Sequence, residues 1–124
     1  MSTRRRDSFI ASRLKGVRYA FKGAITLLKT EPSIQVQFVI GIIMTGIGFY
    51  FNISPIEWIL QVFAIGLVMS IEAVNTAIEE IADFIHPEFH NKIGLIKDIA
   101  AGAVCIAAIT AIIIGLIIYI PKIF

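Results

Sequence analysis

The chain has 124 residues, of which 57% are hydrophobic and only 16% are charged, and its formal net charge is +2. Soluble domains carry about 25% charged residues, and a soluble domain this small has too little interior to hide so many apolar side chains. The composition therefore argues against a soluble enzyme and a disordered tail, and Cys105, the one cysteine, cannot form an internal disulfide.

The N-terminal part of the chain is basic and amphipathic. Eight of the eleven Lys and Arg residues precede residue 30, and between residues 8 and 29 apolar residues recur at steps of three and four. This pattern predicts an amphipathic helix over 8–29 that lies on an anionic membrane surface. The chain also has a basic arm, Arg4-Arg5-Arg6. In a membrane protein such an arm more often contacts lipid headgroups or sets the topology, so we expect no nucleic-acid partner.

The rest of the chain contains long apolar stretches. A helix needs about 20 apolar residues to cross the hydrocarbon of a bilayer. Three segments fit this length: 35–51, 56–83 and 99–120. Thr30-Glu31-Pro32-Ser33 predicts a turn before the first segment, with Ser33 as the N-cap of the helix. The chain is thus expected to be an all-α integral membrane protein with three transmembrane helices and a surface helix.

The positions of the basic residues predict an orientation. Lys and Arg concentrate on the cytoplasmic side of membrane proteins, which places the N-terminal helix in the cytoplasm. The predicted connection 86–97, with Lys92 and Lys97, then lies on the same side. Three helices form a thin bundle, so burial of their polar groups is expected to need neighbouring subunits.

Polar residues share one face of the second apolar segment. At 100° per residue, Glu72, Asn75, Glu79 and Asp83 fall within about 80° of the helix circumference. Glu72 lies about 24 Å along the span that starts near Ile56, inside the cytoplasmic edge of a hydrocarbon layer about 30 Å thick. One charge at mid-helix costs about 2.5–3.5 kcal/mol. The acidic face therefore needs protons, basic partners or divalent cations.

Glu31, Lys97 and Asp98 are predicted at the same boundary. Carboxylate and amide oxygens suit Mg²⁺, and Mg²⁺ held by carboxylates usually also holds phosphates. Glu72 is placed to take a proton from a lipid hydroxyl, and Lys97 to meet phosphate as a point charge. These features favour phosphoryl transfer, although neither a P-loop nor a protein-kinase motif is present. A structural network of salt bridges between helices and an ion path remain open alternatives.

Several motifs resemble those of one family. Glu72-Ala-Val-Asn75-Thr-Ala-Ile-Glu79 resembles the E-x-x-N-[ST]-A-[IV]-E signature of the small bacterial integral-membrane lipid kinases, which comprise the prokaryotic diacylglycerol kinases and undecaprenol kinases. The run from Lys97-Asp98 to Val104 resembles the second motif of this family. Two shorter matches support the resemblance over roughly residues 9–120: Tyr19-x-x-Lys22-Gly23, and Asp83 followed by Glu88-Phe89-His90, which resembles the D-x-x-x-x-x-[YF]-H connection of the family.

The resemblance implies a homotrimer whose active site lies at the cytoplasmic interface and is shared between subunits, with one lipid-kinase domain over 1–124. It implies roles for individual residues. Glu72 corresponds to the general base, Glu31 and Glu79 to the metal ligands, and Asn75 to a residue that orients metal and phosphate. Lys97, Asp98, Lys22 and Tyr19 correspond to nucleotide-binding residues, with Tyr19 stacking on adenine.

The implied activity is transfer of the γ-phosphate of ATP, with Mg²⁺, to the primary hydroxyl of a membrane lipid alcohol, either diacylglycerol or undecaprenol. Thr30-Glu31 and the run after Lys97 look closer to the undecaprenol kinases, but Pro32-Ser33 departs from the family pattern. Apolar walls discriminate poorly between hydrocarbons, so these positions do not determine the acceptor. The alternatives outside this family are a small oligomeric ion or proton pathway and a structural membrane subunit.

Overall fold

The computed structural model describes residues 8–124, which form four α-helices and no strand in that range. The helices are α1 (Phe9–Thr30), α2 (Pro32–Tyr50), α3 (Pro55–Ile85) and α4 (Asn91–Ile123). By length and composition, α2, α3 and α4 can each cross a membrane. The predicted all-α architecture with three spans and an N-terminal helix is confirmed. Arg4, Arg5 and Arg6 lie outside the described residues.

Helix α1 has a side-chain cap at its N-terminus and buries none of its residues. Its N-cap is Ser8, whose hydroxyl accepts a hydrogen bond from the Ala11 N–H at 3.2 Å. Lys29 lies in the last turn, where a cation interacts favourably with the negative end of the helix dipole. The helix packs beside α2, and the apolar stripe with Leu14 and Phe21 stays exposed.

The corner between α1 and α2 differs from the prediction, because Ser33 is not the N-cap of α2. Glu31 adopts an extended conformation between the helices, and Pro32 begins α2. A proline disfavours the helical conformation in the residue before it. It is tolerated in the first turn of a helix, because an N–H at that position would have no acceptor within the helix. The side-chain amide of Gln35 donates to the carbonyls of Leu28 and Lys29 at 3.1 and 3.2 Å, which closes the corner.

A tight turn joins α2 to α3. Asn52 adopts the left-handed conformation with φ of 52°, which asparagine tolerates better than most residues. Ser54 and Glu57 then form a capping box, in which each side chain accepts a hydrogen bond from the backbone N–H of the other. Gly48 lies opposite Trp58, and a Cβ atom there would come within 2.7 Å of the indole ring.

Helices α3 and α4 form an antiparallel hairpin with the most extensive contact in the fold. Three side-chain pairs join them along their length: Glu57 with Lys122, Gln61 with Tyr119, and Asp83 with Lys97. The register is constant, because each step towards the C-terminus on α3 is matched by an equal step back on α4. Ala64, Ala100 and Ala107 are buried, and such small residues let helices approach closely.

The start of α4 also differs from the prediction. The expected connection 86–97 is shorter in the structure, because α4 begins at Asn91 and contains both Lys92 and Lys97. The imidazole Nδ1 of His90 accepts a hydrogen bond from the Lys92 N–H at 3.1 Å and so caps the helix. The helix therefore begins about two turns before its apolar segment.

Helix α2 runs antiparallel to α3 as well. Three contacts set this register: Gly41 with Ile65, the Met44 carbonyl with the Gln61 amide, and Gly48 with Trp58. Continued towards the N-terminus of α2, the same register brings Glu31 to the depth of Asn75. The N-terminus of α2 and the loop between α3 and α4 therefore lie at one end of the bundle.

Candidate active site

One face of α3 carries polar groups that lack partners. Glu72 is only 9% exposed and makes no hydrogen bond or ion pair among residues 8–124. One turn later, the Asn75 amide donates a long hydrogen bond of 3.4 Å to Glu79. The side-chain oxygen of Asn75, Oδ1, is buried and has no hydrogen-bond partner in the part of the chain that the structure describes. This face thus presents oxygen atoms that a cation or a proton would satisfy.

Helix α4 supplies one of the basic partners that the acidic residues of α3 need. The Lys97 ammonium lies 2.6 Å from a carboxylate oxygen of Asp83, and Glu79 is close enough to attract it as well. The Lys97 side chain is 37% exposed and that of Asp83 is 59% exposed. The ammonium therefore stays accessible to a ligand while it is held against α3.

The predicted site residues lie at one end of the bundle but occupy different depths. Lys97 pairs with Asp83, which follows Glu72 on α3 by a stretch of about 16 Å at 1.5 Å per residue. The register of α2 brings Glu31 between these limits, at the level of Asn75. A ligand that contacts both Glu72 and Lys97 must therefore extend along the helix axes, as a nucleotide triphosphate beside a lipid headgroup would.

Four predicted residues make no hydrogen bond or ion pair with Glu72, Asn75, Glu79 or Lys97 among residues 8–124. Tyr19 and Lys22 lie one turn apart on the exposed surface of α1, Glu31 makes no side-chain cap, and Asp98 is exposed. No three His, Cys, Asp or Glu side chains within that range gather closely enough to hold a metal ion. Within residues 8–124, a single chain thus joins Asn75 to Glu79 and Lys97 to Asp83, with Glu72 one turn before Asn75 on the same face, and joins none of the other four predicted residues to them.

A second polar group, which was not predicted from the sequence, lies at the opposite end of the bundle. Gln61 is 5% exposed, and its amide donates to the Met44 carbonyl at 2.9 Å while its oxygen accepts from the Tyr119 hydroxyl. Nearby, Lys122 lies 2.9 Å from Glu57. The signal for this group was Gln61 itself, the one amide in the uncharged stretch between Glu57 and Glu72. These bonds tie α2, α3 and α4 together far from the acidic face.

An apolar cavity of about 310 Å³ opens between α2, α3 and α4. Its lining includes Gly41, Ala64, Ala108 and Gly115, and it reaches Val68, which lies one turn before Glu72 on α3. The walls are almost wholly apolar, with Gln37 and Gln61 as the polar exceptions. The cavity therefore suits a hydrocarbon chain rather than a polar metabolite.

Comparison with known proteins finds relatives of this chain. Residues 18–119 match the family described as prokaryotic diacylglycerol kinase. The chain is 37% identical to an undecaprenol kinase of Bacillus subtilis over 108 residues, which cover 87% of this chain and 88% of that protein. It is 31% identical to a diacylglycerol kinase of Escherichia coli over 100 residues, 81% of this chain and 82% of that protein. The chain therefore belongs to the prokaryotic diacylglycerol kinase family.

Proposed function

We propose that the protein is an ATP-dependent lipid kinase that phosphorylates the primary hydroxyl of a membrane lipid alcohol, diacylglycerol or undecaprenol. The observation that carries this proposal is the buried carboxylate of Glu72 on the same α3 face as Asn75 and Glu79. The lipid oxygen attacks the γ-phosphorus of ATP, the bond from that phosphorus to the bridging oxygen breaks, and ADP leaves. The hydroxyl proton passes to Glu72.

Glu72 is suited to the role of general base. A base must come within hydrogen-bond reach of the proton that it removes, and no other side chain among residues 8–124 occupies the Glu72 carboxylate. The position of Glu72 along α3 corresponds to the depth of a lipid hydroxyl just below the headgroups. A hydroxyl of a soluble substrate would not reach that depth as readily. The apolar cavity ends one turn away at Val68 and offers space for the acyl or prenyl chain.

The oxygen atoms beside Glu72 fit a magnesium ion. Asn75 Oδ1 is buried and has no donor among residues 8–124, and the amide nitrogen of the same side chain contacts the Glu79 carboxylate. Mg²⁺ prefers such hard oxygen ligands. Asn75, Glu79 and Glu31 would hold the ion. When bound, Mg²⁺ neutralises charge on the transferring phosphate.

Nucleotide contacts would come from two helices. Lys97 on α4 has three N–H donors and uses one on Asp83, so donors remain for the ATP phosphates. Asp98 is the next residue on α4 and would bind the nucleotide beside Lys97. Tyr19 and Lys22 project from α1, with Tyr19 available to stack on adenine.

The full site would be assembled in a homotrimer. Within the described part of one chain, Glu31, Tyr19 and Lys22 make no hydrogen bond or ion pair with Glu72, Asn75 or Glu79. Neighbouring subunits would therefore complete each site. The exposed apolar stripe and the basic residues of α1 support its location on the anionic cytoplasmic surface of a bacterial inner membrane, with the active site on that side.

A lipid kinase assay in mixed micelles tests the proposal. Labelled ATP is supplied with Mg²⁺ and either diacylglycerol or undecaprenol, and the phosphorylated lipid is quantified. Glu72→Gln should lower turnover by about 10²- to 10⁴-fold, the contribution of a general base, while ATP binding is retained. The matched control Glu80→Gln removes an exposed carboxylate from the same helix and should leave turnover unchanged.

Two results would contradict this function. Unchanged turnover in Glu72→Gln would remove Glu72 as the base. A wild-type protein that phosphorylates neither lipid, yet conducts ions across liposomes without ATP, would favour the ion pathway instead. The ratio of the two lipid activities identifies the acceptor.

A further inference from the structure

We infer that Asp83 is a positioning residue for the nucleotide: its carboxylate holds the Lys97 ammonium where the phosphates of ATP bind. This inference rests on the proposed kinase function. The observation behind it is the 2.6 Å contact between Lys97 Nζ and Asp83 Oδ1, which crosses from α4 to α3. Asp83 would act through Lys97 and would not touch the reacting atoms.

The contact contributes little to holding the helices together. Both side chains are substantially exposed, and exposed ion pairs add little to stability because water and salt screen them. The hairpin is already joined at its other end by Gln61 with Tyr119 and by Glu57 with Lys122. The main effect of the Asp83 contact is therefore on the position of the Lys97 ammonium.

An unrestrained lysine loses much side-chain freedom when it binds a phosphate, because its four-carbon stem has many rotamers. Asp83 has a short side chain anchored in a helix, so its carboxylate is itself held in place. Its contact with Lys97 therefore restricts the ammonium before the ligand arrives. Ordering a group in advance lowers the entropic cost of binding. The ammonium keeps two further N–H donors for phosphate oxygens while it contacts Asp83.

The distance along α3 separates this role from that of the base. Asp83 lies about 16 Å beyond Glu72 along the helix axis, too far to share the proton of the lipid hydroxyl. Glu79 also attracts Lys97, from one turn before Asp83, but its carboxylate accepts from Asn75. The direct contact of Lys97 is therefore with Asp83, and its loss should affect ATP more than lipid.

The test compares Michaelis constants for the two substrates. Asp83→Asn keeps the shape of the side chain and removes its charge, and should raise the KM for ATP about two- to fivefold, as for loss of an exposed ion pair. The KM for lipid and the thermal unfolding midpoint should stay the same. Asp83→Glu should return the KM for ATP to within about twofold of wild type, and the exposed control Glu80→Gln should change neither KM.

Three results would overturn the inference: a KM for ATP that is unchanged or lower in Asp83→Asn, a fall in kcat with both KM values unchanged, or an effect of Asp83→Asn on equilibrium ATP affinity that persists in a Lys97→Met background. If Asp83→Asn does not fold, Asp83→Ser carries the same prediction. Failure of the kinase proposal is distinguishable, because the wild-type protein would then phosphorylate neither lipid.

Discussion

Tyr119 offers a direct measurement of how strongly the helices are tied inside the membrane. Its side chain is 7% exposed, and its hydroxyl donates to the oxygen of Gln61, whose amide donates in turn to the Met44 carbonyl. Tyr119→Phe removes one oxygen atom and keeps the ring that packs on Phe51. The variant therefore tests the hydrogen bond with little change in packing.

The expected loss of unfolding free energy is about 1–2 kcal/mol. Hydrogen bonds between transmembrane helices average about 0.6 kcal/mol and reach about 1.7 kcal/mol. The upper part of that range applies here, because Gln61 is 5% exposed and its oxygen would be left without a donor. In a Gln61→Leu background the acceptor is gone, so Tyr119→Phe should cost less than about 0.5 kcal/mol.

Reversible unfolding in mixed micelles, followed by circular dichroism, gives the four free energies of this cycle. Tyr50→Phe is the matched control, because Tyr50 is 83% exposed and has no hydrogen bond among residues 8–124. It should change stability by less than about 0.5 kcal/mol. An equal cost of Tyr119→Phe with and without Gln61, or no cost at all, would refute the reasoning.

Two further substitutions test packing and charge by the same unfolding measurement. Gly48→Ala should lower the unfolding free energy by about 1–3 kcal/mol, because the new methyl group would meet Trp58 at 2.7 Å. In the control Gly46→Ala the methyl group meets nothing within 4 Å, so this variant should raise the unfolding free energy by up to about 1 kcal/mol. Equal effects at the two glycines would contradict the packing of Gly48 against Trp58. Lys122→Met breaks the 2.9 Å pair with Glu57 and should lower the unfolding free energy at low salt and lower it less at 1 M salt. A cost that does not depend on salt would show that the pair acts through packing instead.

The helices were largely predictable because each depends on local pattern. Long uncharged stretches gave the spans, and steps of three and four gave α1. The errors arose where local geometry overrode hydropathy. Glu31 replaces Ser33 at the start of α2 because Pro32 disfavours a helical residue before it. Helix α4 starts at Asn91 because His90 caps a polar segment that hydropathy assigns to a loop.

The candidate site was predictable only along single helices. Periodicity placed Glu72, Asn75 and Glu79 on one face, and the hydrogen bond between the last two agrees with that. The depth of Lys97 relative to Glu72 depends on the register between α3 and α4, which no local pattern contains. The pairing of Gln61 with Tyr119 is of the same kind, because it joins residues 58 positions apart.

The two ion pairs of the α3–α4 hairpin bear on how the chain enters the bilayer during synthesis. Glu57 and Lys122 are 65 positions apart, so the carboxylate emerges from the ribosome long before its counterion is made. Asp83 precedes Lys97 by a shorter interval of 14 positions. Both ion pairs of α3 can therefore form only after α4 has emerged, and until then Glu57 and Asp83 lack these counterions.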